Sequence, residues 1–170
     1  MQNGKREQGM KRRLRSAMVL LVLLAAVSAF ASPADLKPAK PGPRDKCPVC
    51  GMFVAKYPDF ATQIRFSDGR TAFFDGTKDL FTFYLELSRY APGRKRTEIA
   101  AIYVNDFYSL SPVDGFSAYY IAGSDVFGPM GKELISFARE SDAREFLRDH
   151  KGKTILRFRE VTPAALQGLR

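Results

Sequence analysis

Cys47 and Cys50 are the two cysteines of the chain, and they stand together in Cys47-Pro48-Val49-Cys50-Gly51-Met52. Two thiols at this spacing can turn inward on one ion, and Gly51 lets the backbone bend closely around it. Lys46, next to Cys47, modestly favours the thiolate. Outside the first 31 residues the remaining sulfur atoms belong to Met52 and to Met130, the latter in Gly128-Pro129-Met130-Gly131. Thiolate together with thioether is the donor set that soft Cu(I) prefers over harder cations. A metal site drawing on Cys47, Cys50 and Met130, with Met52 as a further candidate, is the expectation. A thioether from Met130 would close such a site without adding charge. Met52, beside Phe53, serves equally well as packing.

Other chemistries compete for the same residues. A Cys-x-x-Cys pair in an exported protein also suits a plain disulfide or a thiol–disulfide exchange centre, the latter being the alternative function. A closed zinc site needs four protein ligands, and the chain adds one histidine, His150, to its two cysteines. His150 falls in the last turn of a predicted helix, where the helix dipole favours an imidazole without any metal. Gly51, not histidine, follows Cys50, which argues against haem attachment. Asp75, Asp79 and Asp125 sit near predicted turns and caps, where local hydrogen bonding accounts for them. There is no G-x-S-x-G and no phosphate-cradling glycine loop, so no catalytic turnover is expected.

The first residues read as a targeting segment. Lys5, Arg6, Lys11, Arg12, Arg13 and Arg15 form a basic head, residues 17–30 an apolar stretch, and Ala29-Phe30-Ala31 a small-residue cleavage site. A signal peptide over residues 1–31 is therefore predicted, although a retained anchor is the competing reading of so short an apolar run. This segment holds six of the 27 basic and one of the 18 acidic residues. The rest of the chain thus carries 21 against 17, a net charge of +4 compared with +9 for the whole. No basic cluster interleaved with aromatics remains, and nucleic acid is not an expected partner. Residues 32–46 contain Pro33, Pro38, Pro41 and Pro43 and read as a solvated, semi-extended linker. The metal motif begins where the linker ends, which predicts exposed or mobile cysteines.

Beyond the motif one pattern is used twice. Residues 61–66 alternate, with Ile64 and Phe66 on one face and Gln63 and Arg65 on the other. Asp68-Gly69 signals a two-residue hairpin turn, and residues 71–74 return. Asp75-Gly76-Thr77 then caps a helix whose stripe is Leu80, Phe81, Phe83, Tyr84 and Leu87, before a strand over residues 99–104. The second half repeats the order: strands at 117–122 and 133–138, a helix capped by Ser141 and ended by Gly152, and a strand at 154–158. The prediction is an α+β domain of two consecutive ββαβ units, about 47–105 and 106–160, followed by a tail at 161–170. The second hairpin differs in its long glycine-bearing loop, residues 123–131, which carries Met130; loops longer than a turn requires are often functional.

Cys47-Pro48-Val49-Cys50-Gly51-Met52 and Gly128-Pro129-Met130-Gly131-Lys132-Glu133-Leu134-Ile135, supported by Phe73-Phe74-Asp75-Gly76 and the doubled ββαβ order, resemble the NosL-type copper accessory proteins associated with nitrous oxide reductase. The likeness spans roughly residues 45–160. It implies a periplasmic, membrane-associated Cu(I) carrier whose partners are copper and apo nitrous oxide reductase or another copper-assembly protein. By motif, the cysteine side of the site falls on Cys47 and Cys50 and the methionine side on Met130, with Met52 a further candidate. Members of the family are commonly lipoproteins anchored through a cysteine at the cleavage site, and Phe30-Ala31-Ser32 contains none.

Overall fold

Strands β1 (Thr62–Phe66) and β2 (Thr71–Phe74) form the expected antiparallel hairpin in the computed structural model, which describes residues 36–169. The predicted signal segment and the first linker residues lie outside the described part. Ile64 and Phe66 point into the core as their alternation demands. The turn is one residue longer than expected. Phe66 N–H donates to Arg70 O (2.9 Å), so Ser67, Asp68 and Gly69 make a three-residue loop, with Gly69 in the left-handed region (φ 86°). Asp68 Oδ1 accepts from Arg70 N and firms the bend.

Helix α1 (Thr77–Leu85) follows, then a single turn α2 (Leu87–Tyr90), and β3 (Ile99–Asn105) pairs with the free edge of β1. β4 (Pro112–Asp114) was not anticipated; it extends the same sheet, giving the order β2-β1-β3-β4. It lies in the stretch assigned to the second unit, so the first sheet reaches past the expected boundary.

The second unit holds β5 (Tyr119–Ala122), a short ribbon of β6 (Phe127–Gly128) and β7 (Gly131–Lys132), β8 (Ile135–Phe137), α3 (Glu140–Asp149) and β9 (Thr154–Arg157). Its main sheet has the order β8-β5-β9, all antiparallel. In both units the first strand lies between the other two, so the α+β doubling read from the sequence is present. The long loop at 123–131 is itself partly a β-ribbon, whose tip is Pro129-Met130.

Two capping expectations are corrected. Helix α3 begins at Glu140 with Arg139 at the cap, and Ser141 Oγ donates to Asp142 Oδ1 (3.0 Å) instead of capping. At the other end Lys151, not Gly152, takes the left-handed conformation (φ 54°). Gly152 is needed for closeness, because a β-carbon there would stand 2.8 Å from Ile121 Cγ2.

Strand β5 is buried on both sides, which joins the units. Tyr120 and Ala122 face a core with Ile64, Phe74, Ile102 and the α1 residues Leu80 and Phe81, while Ile121 faces Ile135, Phe137, Ala143 and Phe146 beneath α3. Phe81 and Tyr120 meet edge to face at 4.9 Å across the first of these cores, a preferred aromatic geometry. The C-terminal residues, expected as a tail, also pack: α4 (Pro163–Gln167) and its flanks bury Val161, Leu166 and Leu169 in the first core.

The described part of the linker is extended but anchored, contrary to a solvated tether. Ala39 exchanges two 2.9 Å hydrogen bonds with the Gln63 side chain, and the Tyr103 hydroxyl donates to Leu36 O (2.7 Å). Gln63 and Tyr103 are paired across β1 and β3, so this segment covers the outer face of the first sheet. Among the described residues no helix is long and apolar enough to cross a membrane.

Candidate metal centre

The cysteine motif folds into a closed loop. Cys47 N–H donates to Met52 O (2.9 Å), Gly51 N–H donates to Cys47 O (2.8 Å), and Lys46 and Phe53 form an antiparallel bridge at the base. Gly51 adopts φ 80°, the left-handed conformation that a residue with a β-carbon resists. Val54 N–H donates to Asp45 O, and Val54 is fully buried beside the loop. The chain is thereby drawn back onto the first core, and the expectation of exposed cysteines is corrected: Cys47 is 1% exposed and Cys50 half-buried.

Opposite this loop stands the start of α1. Asp75 follows β2 directly, Gly76 is the helix N-cap, and Asp79 lies in the first turn. Four positions apart, the two carboxylates reach the same end of the helix. One ligand atom from each of Cys47, Cys50, Asp75 and Asp79 lies within 4.8 Å of the others. Cys47 Sγ–H donates to Asp79 Oδ2 (3.3 Å), and Cys50 Sγ–H donates to Asp75 Oδ1 (3.1 Å). Asp75 and Asp79 are themselves buried.

Burial sets the acidity of the thiols. It pushes Cys47 far above an ordinary thiol, against the backbone N–H groups of Cys50 and Val49 that are aimed at its sulfur. The negative charge of Asp79 adds to the rise. Burial likewise pushes Cys50 up to about 12, opposed by the Met52 N–H and reinforced by Asp75 and Asp79. Both sulfurs therefore rest as thiols in the metal-free protein. The cluster offers a soft pair of sulfurs beside a hard pair of oxygens, and the sulfurs select for a soft cation.

The other predicted positions are placed as follows. Met52 is half-buried, and its carbonyl closes the cysteine loop. Met130 is 47% exposed at the tip of the β6–β7 ribbon. Lys78 of α1 reaches over to that ribbon, its Nζ donating to Met130 O (3.2 Å) and Lys132 O (2.9 Å). His150 is not among the clustered ligands. It caps α3, stacks on Phe146 at 4.3 Å and meets Asp125 Oδ1 at 3.2 Å.

Asp75 and Asp79 are the residues that sequence reasoning missed, since each was assigned to local capping. Their four-residue separation at a helix start, and the place of Asp75 in Phe73-Phe74-Asp75-Gly76, were the available signals. Neither signal says what packs opposite that end of the helix.

With this geometry in place, the chain matches the NosL family model over residues 38–166. It is 33% identical over 141 residues to the copper-binding lipoprotein NosL of Stutzerimonas stutzeri, a match covering 78% of this chain and 70% of the relative. The crystal structure of the copper chaperone NosL from Shewanella denitrificans superposes with a TM-score of 0.64 at 27% identity, covering 78% of this chain and 99% of that one. The solution structure of the apo-NosL protein from Achromobacter cycloclastes matches with a TM-score of 0.43 at 24% identity, covering 62% and 87%.

Proposed function

The chain belongs to the NosL family, and from that premise we propose that it is an exported, periplasmic Cu(I) carrier that supplies copper for assembly of the copper centres of nitrous oxide reductase. The observation that carries the reading is the convergence of the buried Cys47 and half-buried Cys50 sulfurs in one cluster of ligand atoms. We assign the two cysteines as the primary ligands and the Met130 thioether as the closing donor, with Met52 a further candidate. The relatives described as copper-binding and as a copper chaperone support copper as the cargo.

The geometry divides the labour. Cys47, sealed in the core, is the fixed anchor, and half-buried Cys50 is the sulfur an incoming donor or acceptor protein can approach. Arrival of Cu(I) displaces a proton from each thiol and forms two Cu–S bonds. Departure returns those protons as an acceptor's ligands take the ion. Asp79 and Asp75 hold the thiols in line beforehand and place negative charge beside the cation afterwards. A thioether is a weaker, neutral donor, which eases release. The alternative of a thiol–disulfide oxidoreductase asks for a lowered thiol pKa, whereas both thiols here are raised.

The test is to reduce the protein, load it with Cu(I) in the presence of a chromogenic chelator, and mix it with apo nitrous oxide reductase. Stoichiometric retention followed by transfer supports the carrier. Failure to retain copper, or efficient catalysis of insulin reduction, overturns it.

A further inference from the structure

Helix α1 has an N-cap that cannot cap. Gly76 supplies no side-chain oxygen, and no side chain at the cap position bonds the first turn. The acceptor comes from 55 residues away: Glu133 Oε1 takes the Lys78 N–H at 2.5 Å and, at 2.9 Å, the N–H of Leu134. Glu133 is 3% exposed and lies directly after β7. Two glycines clear the slot it fills. A β-carbon on Gly76 would overlap Glu133 Oε2, and one on Gly128 would stand 2.9 Å from Glu133 Cγ. Gly76 belongs to the turn between Asp75 and Asp79, and Gly128 to the ribbon that presents Met130. The Lys78 side chain makes the same connection from the other side, through the carbonyls of Met130 and Lys132.

From this we infer that Glu133 is a positioning residue that fastens the Met130 ribbon to the α1 turn carrying Asp75 and Asp79, so that the methionine and cysteine sides of the copper site are held in register. The inference rests on the reading of Met130 as a copper ligand. It adds that Met130 acts through a lock formed in the protein itself. Partners of this outer kind usually contribute about 10- to 100-fold to metal affinity.

The experiment compares Glu133→Ala, Glu133→Gln, Met130→Leu and the Glu133→Ala/Met130→Leu double variant. Cu(I) affinity is measured by chelator competition, sulfur neighbours by X-ray absorption, and amide exchange at Lys78 and across residues 126–133 in the metal-free protein. Met130→Leu and Glu133→Ala should each weaken Cu(I) about 10- to 100-fold. The double variant should be no weaker than either single one, because both remove the same donor. Glu133→Ala should show one sulfur neighbour fewer and faster exchange in both segments together. Glu133→Gln, which keeps an acceptor for Lys78 N–H, should restore affinity and sulfur count. Additive losses, or a full sulfur count in Glu133→Ala, overturn the positioning role while leaving Met130 a ligand. An unaltered affinity in Met130→Leu overturns both. Should Glu133→Ala not fold, Gly128→Ala, which crowds Glu133 Cγ, takes its place with the same expected losses.

Discussion

Cys47 Sγ donates to Asp79 Oδ2 across 3.3 Å, joining a loop and a helix whose residues are 32 positions apart in the chain. With the matching Cys50–Asp75 bond it makes the two thiols and two carboxylates one interlocked unit before any ion arrives. Each half of that unit has a separate measurable consequence.

The two cysteines should be unequal structurally and equal in copper retention. Cys47→Ala removes a sulfur from the core and leaves the buried Asp79 without that donor, a loss of about 1–3 kcal/mol. Cys50→Ala likewise leaves the buried Asp75 without its thiol donor but removes only a half-buried sulfur, so it should cost less than Cys47→Ala. Both should abolish stoichiometric Cu(I) binding. Urea unfolding and chelator competition on the same samples check this, and a Cys50→Ala protein that keeps full affinity would contradict it.

Copper affinity should climb steeply with pH. Both thiols are raised well above neutrality, Cys50 to about 12, while the bound form uses thiolates. Two protons must therefore leave for each ion bound, and log K should rise by about two for each pH step between 6 and 9. A competition series across that range, corrected for the chelator's own protonation, reads the slope. A flat profile would mean that the cysteines do not bind as thiolates.

Glu133 should give the fold an unusual acid preference. Burial raises its carboxyl from 4.5 to about 7, against the Leu134 and Lys78 N–H groups and the Lys78 charge, with Asp79 reinforcing the rise. An acid whose folded pKa is raised binds protons more tightly when folded, so its stabilisation is complete below about 4.5 and is lost as pH rises toward 7. The full span is at most about 3 kcal/mol. Urea midpoints at pH 5 and pH 8 should differ more in the native protein than in Glu133→Gln; identical differences would discount the burial.

Removing residues 161–170 should prevent stable folding. Val161, Leu166 and Leu169 are all buried, and each such side chain contributes about 1.5–3 kcal/mol. Against a typical stability of about 5–15 kcal/mol this is a large share. A truncated chain with native circular dichroism and an unchanged melting temperature would show the segment to be dispensable.

Much of the fold was legible because its signals are local. Alternation places Ile64 and Phe66 in the core and turns Gln63 and Arg65 to the opposite face, where the linker covers Gln63, and the α1 stripe of Leu80, Phe81 and Phe83 repeats at helical spacing. Where expectation and structure part, the deciding contact is distant. The expected tail is held by a core built from strands far upstream. The proline-rich linker offered no apolar pattern, and its anchoring depends on a glutamine and a tyrosine brought side by side by β1–β3 pairing.

By itself the amino-acid order determined that two thiols stand within one tight turn, that a soft cation suits them, and that two similar ββαβ halves follow. Covalent spacing and side-chain periodicity act over a few residues, and they suffice for that much. Only the packed chain decided that Cys47 is sealed in the core, that Asp75 and Asp79 face the sulfurs, and that Glu133 caps a helix 55 residues away. Such meetings depend on how sheets and helices stack around a shared core, a relation between remote segments that no local pattern encodes.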